Sequence, residues 1–324
     1  MSTSLIMMSI VMQIKIAMAI VFGDWRTALL ARQLAVLPRA QLMLSDVQPH
    51  EVMTTLSWAQ MAPLWLKIAQ AYNAHISMAC YSTQVRDVQA KDDYVSDLVQ
   101  DIYMLPIADQ YLVWNEQHRS DLLKAGVAEH SIKIVGPIIF SKTYDRTTKG
   151  QANDIIKIDY FDQTPSSRAD LLFLGKPRMF FSNMRSIAAL DMVVEAAKRA
   201  FPDRPYEIRL KAKRARGPQY LGPYSNRIEE LSNALKDPIL KIVKPETSPL
   251  YLHSTASLTV CFPFVSNAIS SQTSGVPACF CNPGGDVMIE EGQAHGLPVI
   301  TTVKTLAQWM KISLQIDDRT NIAS

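Results

Sequence analysis

The 324-residue chain is poor in cysteine, in glycine-rich motifs and in net charge, and each shortage excludes something. Its four cysteines, Cys80, Cys261, Cys279 and Cys281, show no CxxC spacing. They read as reduced, buried thiols of a cytosolic protein, not as a disulfide framework or a metal set. A net charge of +3 from 33 basic and 30 acidic residues is too small for a protein that grips nucleic acid over its whole surface, so any anion site must be a local cluster. No G-x-G-x-x-G follows a strand, and G-x-x-x-x-G-K-[ST], G-x-S-x-G and H-E-x-x-H are missing. Dinucleotide oxidoreductase, P-loop NTPase, serine hydrolase and zincin chemistry therefore lack their motifs. There is no D-x-D pair to hold a divalent ion on a sugar nucleotide, and no metal is expected. Repeats of 20–50 residues and low-complexity tracts are also missing, which excludes solenoids and propellers.

What is present is a folded globular composition, 48% hydrophobic and 19% charged with 12 Gly and 18 Pro, in a chain long enough for about two domains. Residues 5–22, LIMMSIVMQIKIAMAIVF, are apolar enough to raise a signal anchor, but Gln13 and Lys15 stand in the middle and no A-x-A site follows. The preferred expectation is a buried strand over 15–22 that opens an α/β domain.

Short apolar runs alternate with segments of helical period, the pattern of βα units on a parallel sheet. In the first half, strands are expected at 15–22, 41–44, 75–80, 110–114 and 132–135, with helices at 52–72, 94–105 and 116–125, the last stopped by Gly126. The polar stretch 141–154 reads as a linker. Beyond it strands are expected at 155–161, 206–212, 239–243, 257–262 and 276–280, with helices at 186–200, 224–236, 266–274 and 304–315. The fold class is thus α/β, with one domain over 1–145 and another over 155–324. Their parallel sheets would face a cleft, and the last helix would cross back.

In 206–217, YEIRLKAKRARG, a strand ends in Lys211, Lys213 and Arg214, delivering positive charge to the carboxyl edge of a sheet, where open α/β folds bind ligands. A solvated basic turn is the plainer alternative. In 257–275 an apolar strand breaks at Pro263, and Ser266 and Asn267 stand where a helix cap would. Amides at such a start attract anions, although ordinary capping is common. Asp162, in IDYFDQTP, follows the first strand of the second half and is expected to project into the cleft as a base or nucleophile, or else to be a simple turn-former. Glu116 follows QYLVW at the mirrored place and could serve as an acceptor-side base or merely offset a helix dipole. His295, in AHGLPVI, could meet a phosphate or decorate a loop.

The ordered segments ADQYLVWNEQ (108–117), IKIVGPIIF (132–140), IDYFDQTP (158–165), IRLKAKR (208–214), CFPFVSNA (261–268) and AHGLPVI (294–300) resemble bacterial surface-polysaccharide biosynthesis proteins of the Pro-Phe-Thr-Ser motif type. The likeness spans about 108–310. It implies a GT-B architecture of two Rossmann-like domains, similar to transferases that use CMP-activated 3-deoxy-octulosonic or sialic acid. By that resemblance Asp162 lies by the reacting sugar carbon, while Lys211, Lys213 and Arg214 stand at the nucleotide phosphate. Pro263, Phe264 and Ser266 match the motif, with Val265 in place of Thr.

The implied function is a metal-independent glycosyltransferase with no cofactor beyond a nucleotide-sugar co-substrate, CMP-linked by preference. The implied partners are that donor and a glycan or lipid-linked glycan acceptor, with no nucleic acid and at most peripheral membrane association. The implied location is the cytoplasm, extending to the inner face of the membrane. A non-catalytic sugar-nucleotide or glycan binding protein of the same descent is one alternative. An exported two-domain ligand-binding protein is another.

Overall fold

A computed structural model of the chain describes residues 3–23, 25–55, 64–80, 108–124, 126–137, 155–163, 165, 182–213, 222–233, 240–287 and 294–320. The expected helix at 94–105, the linker 141–154 and Arg214 lie outside them. The chain divides into two compact units.

The first unit opens with two helices, α1 (Thr3–Val21) and α2 (Trp25–Val47), which pack on each other. Strands β1 (Glu51–Thr54), β2 (His75–Ala79), β3 (Gln110–Val113) and β4 (Ile132–Ile134) form a parallel sheet in the order β1-β2-β3-β4. Helix α3 (Trp65–Ala71) precedes β2, and α4 (Glu116–Lys124) follows β3. Three sequence expectations are corrected here. Residues 15–21 of the first expected strand and all of 41–44 are helical: no Gly or Pro interrupts residues 3–21, and α1 buries Ile16 in a stripe against α2 instead of pairing in the sheet. The expected helix at 52–72 is strand β1 at one end and helix α3 at the other. Val52 and Thr54 are β-branched, and the ladder with Ile76 and Met78 decides their conformation.

The second unit holds β5 (Ile156–Phe161), β6 (Tyr206–Lys211), β7 (Leu240–Ile242), β8 (Leu258–Cys261), β9 (Ala278–Cys281) and β10 (Val299–Ile300). All pair in parallel, in the order β10-β9-β8-β5-β6-β7. Helices α5 (Asn183–Ala200), α6 (Pro223–Asn233), α7 (Pro249–Thr255) and α8 (Asn267–Thr273) follow β5, β6, β7 and β8 in turn, and α9 (Val303–Thr320) follows β10. Strand order runs outward from β5 in one direction, then restarts at β8 beside β5 and runs outward in the other. That reversal makes the β5/β8 seam a topological switch point, where α/β sheets leave a crevice at the strands' carboxyl ends.

The two faces of this sheet differ in chemistry. On one, Ile158, Tyr160, Ile208, Leu210, Leu258 and Val260 pack against α5, α6 and α9. The helix α5 supplies Ala189, Ala196 and Ala197 there, each fully buried, small residues that let the helix lie close to the strands. Its N-cap is Ser182, whose hydroxyl accepts the Arg185 amide, and α9 packs along it. The opposite face carries the alternate residues Asp159, Arg209, Thr259 and Lys211, all buried. Arg209 donates to Asp159 at 2.6 Å, to the Thr255 hydroxyl at 2.8 Å and to the Leu252 carbonyl at 3.1 Å. Ser271 donates to Thr259, and His253 shares a 3.0 Å hydrogen bond with Ser270. Helices α7 and α8 are thus held to the sheet through a buried polar layer. Burial raises the Asp159 carboxyl to about 6 against the opposing pull of Arg209, and lowers the His253 imidazole to about 4 with help from the Arg209 charge.

Two outcomes are expected. Arg209→Ala leaves Asp159 buried without its cation and should cost about 3–5 kcal/mol in urea unfolding; a loss under 1 kcal/mol contradicts the ion pair's place in the fold. Below pH 6.5 the unfolded chain protonates His253 while the folded chain refuses the proton until about pH 4, so this residue destabilises the fold as pH falls through that window. Asp159, higher in the fold than when unfolded, acts oppositely. His253→Asn should therefore lose less stability than the parent between pH 7 and 4.5, by about 2–3 kcal/mol. Parallel curves would contradict this.

Candidate functional site

The carboxyl rim of β8, β5 and β6 carries most of the residues that the sequence singled out. Phe161 pairs in register with both Lys211 and Cys261, and the Phe262 amide donates to the Phe161 carbonyl at 2.9 Å. Beyond that rung the chain after β5 and the chain after β8 part.

Asp162 is the first residue past β5. Only 1% exposed, it does not project into open space: its Oδ1 accepts the Lys213 amide at 2.9 Å and its Oδ2 the Tyr224 hydroxyl at 3.0 Å. The expected cleft-facing carboxylate is in fact a brace between the β6 turn and α6. The reason is the pleat. Asp162 shares the side of the sheet taken by Tyr160, which α6 covers through the fully buried Tyr224. Asn183, at the start of α5, accepts the Tyr224 amide at 3.3 Å and ties a further element to the same corner.

Lys211 and Lys213, the described members of the basic cluster, reach in different directions. Lys211 is buried, and its ammonium donates to the Pro245 carbonyl at 2.6 Å, beyond β7. Burial lowers its pKa, opposed by Asp162 and Glu246. Lys213 is exposed at the rim and donates to Gln163 at 3.1 Å. The motif segment turns sharply after β8, with the Val265 amide on the Phe262 carbonyl at 2.9 Å and Phe264 edge-on to Phe280 at 5.2 Å. Pro263 is buried, while Phe264, Ser266 and Asn267 are half-exposed. Ser266 occupies the N-cap of α8 in a helical conformation, and its hydroxyl makes no capping bond. The expected side-chain cap is therefore not formed, and the hydroxyl stands at the rim.

Two other expectations fall elsewhere. His295 lies in the turn that leads into β10, at φ 50°. It precedes that strand, which puts it at the amino end of the sheet, and burial holds its imidazole down at about 4. Glu116 sits in the first turn of α4 in the first unit, 72% exposed and paired with Arg119 at 3.2 Å. The helix is capped by Asn115, whose side chain accepts the His118 amide at 2.9 Å.

Arg185 was not singled out from sequence, because one arginine in the first turn of a helix carries no pattern. Its side chain is 7% exposed and donates to Asp286 at 3.0 Å. Asp286 follows β9 through a turn in which Gly284 and Gly285 hold positive φ and Asn282 closes on Val287. The contact links the rims on either side of β8, and the other terminal nitrogen of Arg185 is buried without a hydrogen-bond partner. A buried guanidinium with an unused donor has spare capacity for an anion. Among the described residues no cluster of three or more His, Cys, Asp or Glu could hold a metal ion.

No curated protein matches the chain in sequence. Solved structures resemble it in fold. A putative UDP-N-acetylglucosamine 2-epimerase from Listeria monocytogenes is similar over 89% of this chain and 72% of its own, with a TM-score of 0.58 at 12% identity. The UDP-GlcNAc 2-epimerase from Neisseria meningitidis bound to UDP-GlcNAc covers 91% and 82%, with a TM-score of 0.55 at 10% identity. The wall teichoic acid polymerase TagF covers 84% and 67%, with a TM-score of 0.50 at 15% identity. These likenesses show the fold, the pair of parallel-sheet α/β units of GT-B proteins. The family model for polysaccharide biosynthesis PFTS motif proteins matches residues 13–310. Over nearly its whole length, then, the chain belongs to the polysaccharide biosynthesis PFTS motif family.

Proposed function

We propose that this protein moves a sugar from a nucleotide-sugar donor to a growing polysaccharide, with the donor's phosphate seated on the carboxyl rim of the second unit. The observation that carries this reading is the reversal of strand order at β5/β8, a switch point of the kind where α/β sheets bind ligands. On the carboxyl side of these strands come the exposed Lys213 after β6, Ser266 after β8, and Arg185 in the first turn of the helix that follows β5, with one buried terminal nitrogen that makes no hydrogen bond. Fixed cationic donors stabilise the charge that builds on a departing phosphate, the electrostatic share of such a catalyst, and no metal is needed for it. Asp162 acts here as a positioning residue: it fixes the Lys213 backbone and leaves the ammonium outward. Lys211 supports the rim from beneath through Pro245. A CMP-sugar is the donor of first choice from the sequence resemblance. A UDP-sugar is its rival, since the Neisseria structure holds UDP-GlcNAc.

One observation favours a second reading, a nucleotide-sugar binding protein without turnover. Neither carboxylate that the sequence offered as a base is poised to act, because Asp162 is buried in a brace and Glu116 is paired on a surface helix.

The tests separate these readings. A thermal-shift screen across CMP-, UDP- and GDP-sugars should raise Tm for one base class, through stabilisation of the folded state by bound ligand. Transfer or donor hydrolysis that persists in EDTA supports the transferase, whereas tight binding with no product supports the binder. Arg185→Ala should weaken donor binding by about 10–100-fold, the loss of one charged hydrogen bond to phosphate; unchanged affinity would remove Arg185 from the site. Asp162→Asn keeps an acceptor for the Lys213 amide and should hold turnover within about tenfold, whereas a base would lose 10²–10⁴-fold.

A further inference from the structure

Helix α1 is apolar on nearly every side, yet only a narrow stripe of it, centred on Ile16, meets α2. The rest faces outward. Met7 is 62% exposed, Ile14 54%, Val21 78% and Phe22, at the turn into α2, 77%. On α2 the residues Val36, Met43 and Val47 extend the exposed apolar surface. Between the helices runs a groove of ≈ 370 Å³ lined by Met7, Val11, Lys15, Pro38 and Ile68. An apolar helix left this open marks an interaction surface.

The charges say what covers it. Residues 3–47 contain Lys15, Arg26, Arg32 and Arg39 against Asp24 and Asp46. The hairpin therefore carries +2 of a chain total of +3. Lys15 is the one charged residue of α1 and stands near its midpoint, exposed, and Arg39 is exposed on α2 among the apolar residues. Two copies pairing antiparallel through α1 would bring the two lysines together in an apolar contact, which is unfavourable. A bilayer has no such conflict. Lysine and arginine bury their stems and reach headgroup phosphates while the apolar side chains enter the acyl region. Among the described residues no helix is long and apolar enough to cross a membrane.

We propose that the α1–α2 hairpin is a membrane-surface anchor that lies on anionic phospholipid, with the open face of α1 in the acyl boundary and Lys15 and Arg39 at the phosphates. This inference stands on the first unit alone and is independent of the donor site.

The test is co-sedimentation of the full chain with vesicles of phosphatidylglycerol and phosphatidylcholine in equal parts, and of phosphatidylcholine alone. The protein should pellet with the anionic vesicles and about tenfold or more weakly with the neutral ones. Ile14→Lys with Met18→Lys places charge on exposed positions and should abolish binding while circular dichroism stays unchanged. Lys15→Glu with Arg39→Glu touches no apolar residue, so it keeps the proposal testable if the first variant misfolds; it should weaken binding to the anionic vesicles about tenfold or more. Protein left in the supernatant with both vesicles, equal binding to both, or a dimer that Ile14→Lys with Met18→Lys splits without any vesicle binding would each overturn the proposal.

Discussion

The hydrogen bond from the Phe262 amide to the Phe161 carbonyl ties the end of β5 to the chain leaving β8, and beyond it the two chains separate. The chain leaving β5 goes on to α5, on the apolar side of the sheet. The chain leaving β8 goes on to α8, on the polar side. Two parallel strands whose exits diverge leave a gap at their carboxyl ends. That is the physical origin of a ligand crevice in a sheet of this order. Near that divergence Tyr224 braces Asp162, and Asp286 braces Arg185.

The polar face beneath α7 and α8 serves the same end by other means. An apolar layer would have packed as well, yet this sheet buries Asp159 and Arg209 with a hydroxyl network about them. Directional bonds from Arg209 to Thr255 and Leu252 set the position of α7 relative to the strands. The His253 contact with Ser270 then sets α8, and with it the turn that carries Ser266. Such a layer adds little net stability, but it permits few alternative packings.

The sequence made the second sheet readable because buried parallel strands are written as short apolar runs. Ile156–Phe161, Tyr206–Lys211 and Leu258–Cys261 each lie within a residue or two of where the pattern put them. The same signal failed at the amino terminus. A run such as 5–22, apolar at every period, does not distinguish strand from helix, and the α2 partner that settles the matter lies downstream. At the site, residue types were legible and their surroundings were not. Asp162 reads as a turn carboxylate, but its neighbour Tyr224 comes from a helix 62 positions on. Lys211 reads as a rim cation until the strand pleat turns it inward to Pro245. Arg185 gains its significance only from Asp286, 101 residues away.

The most direct test of the central claim is a crystal structure of the full chain with CMP or UDP bound. The account predicts the nucleotide's phosphate between Ser266 and Lys213, with the unused nitrogen of Arg185 donating to it. A phosphate bound at the amino end of the second sheet, or in the first unit with this rim empty, would contradict it.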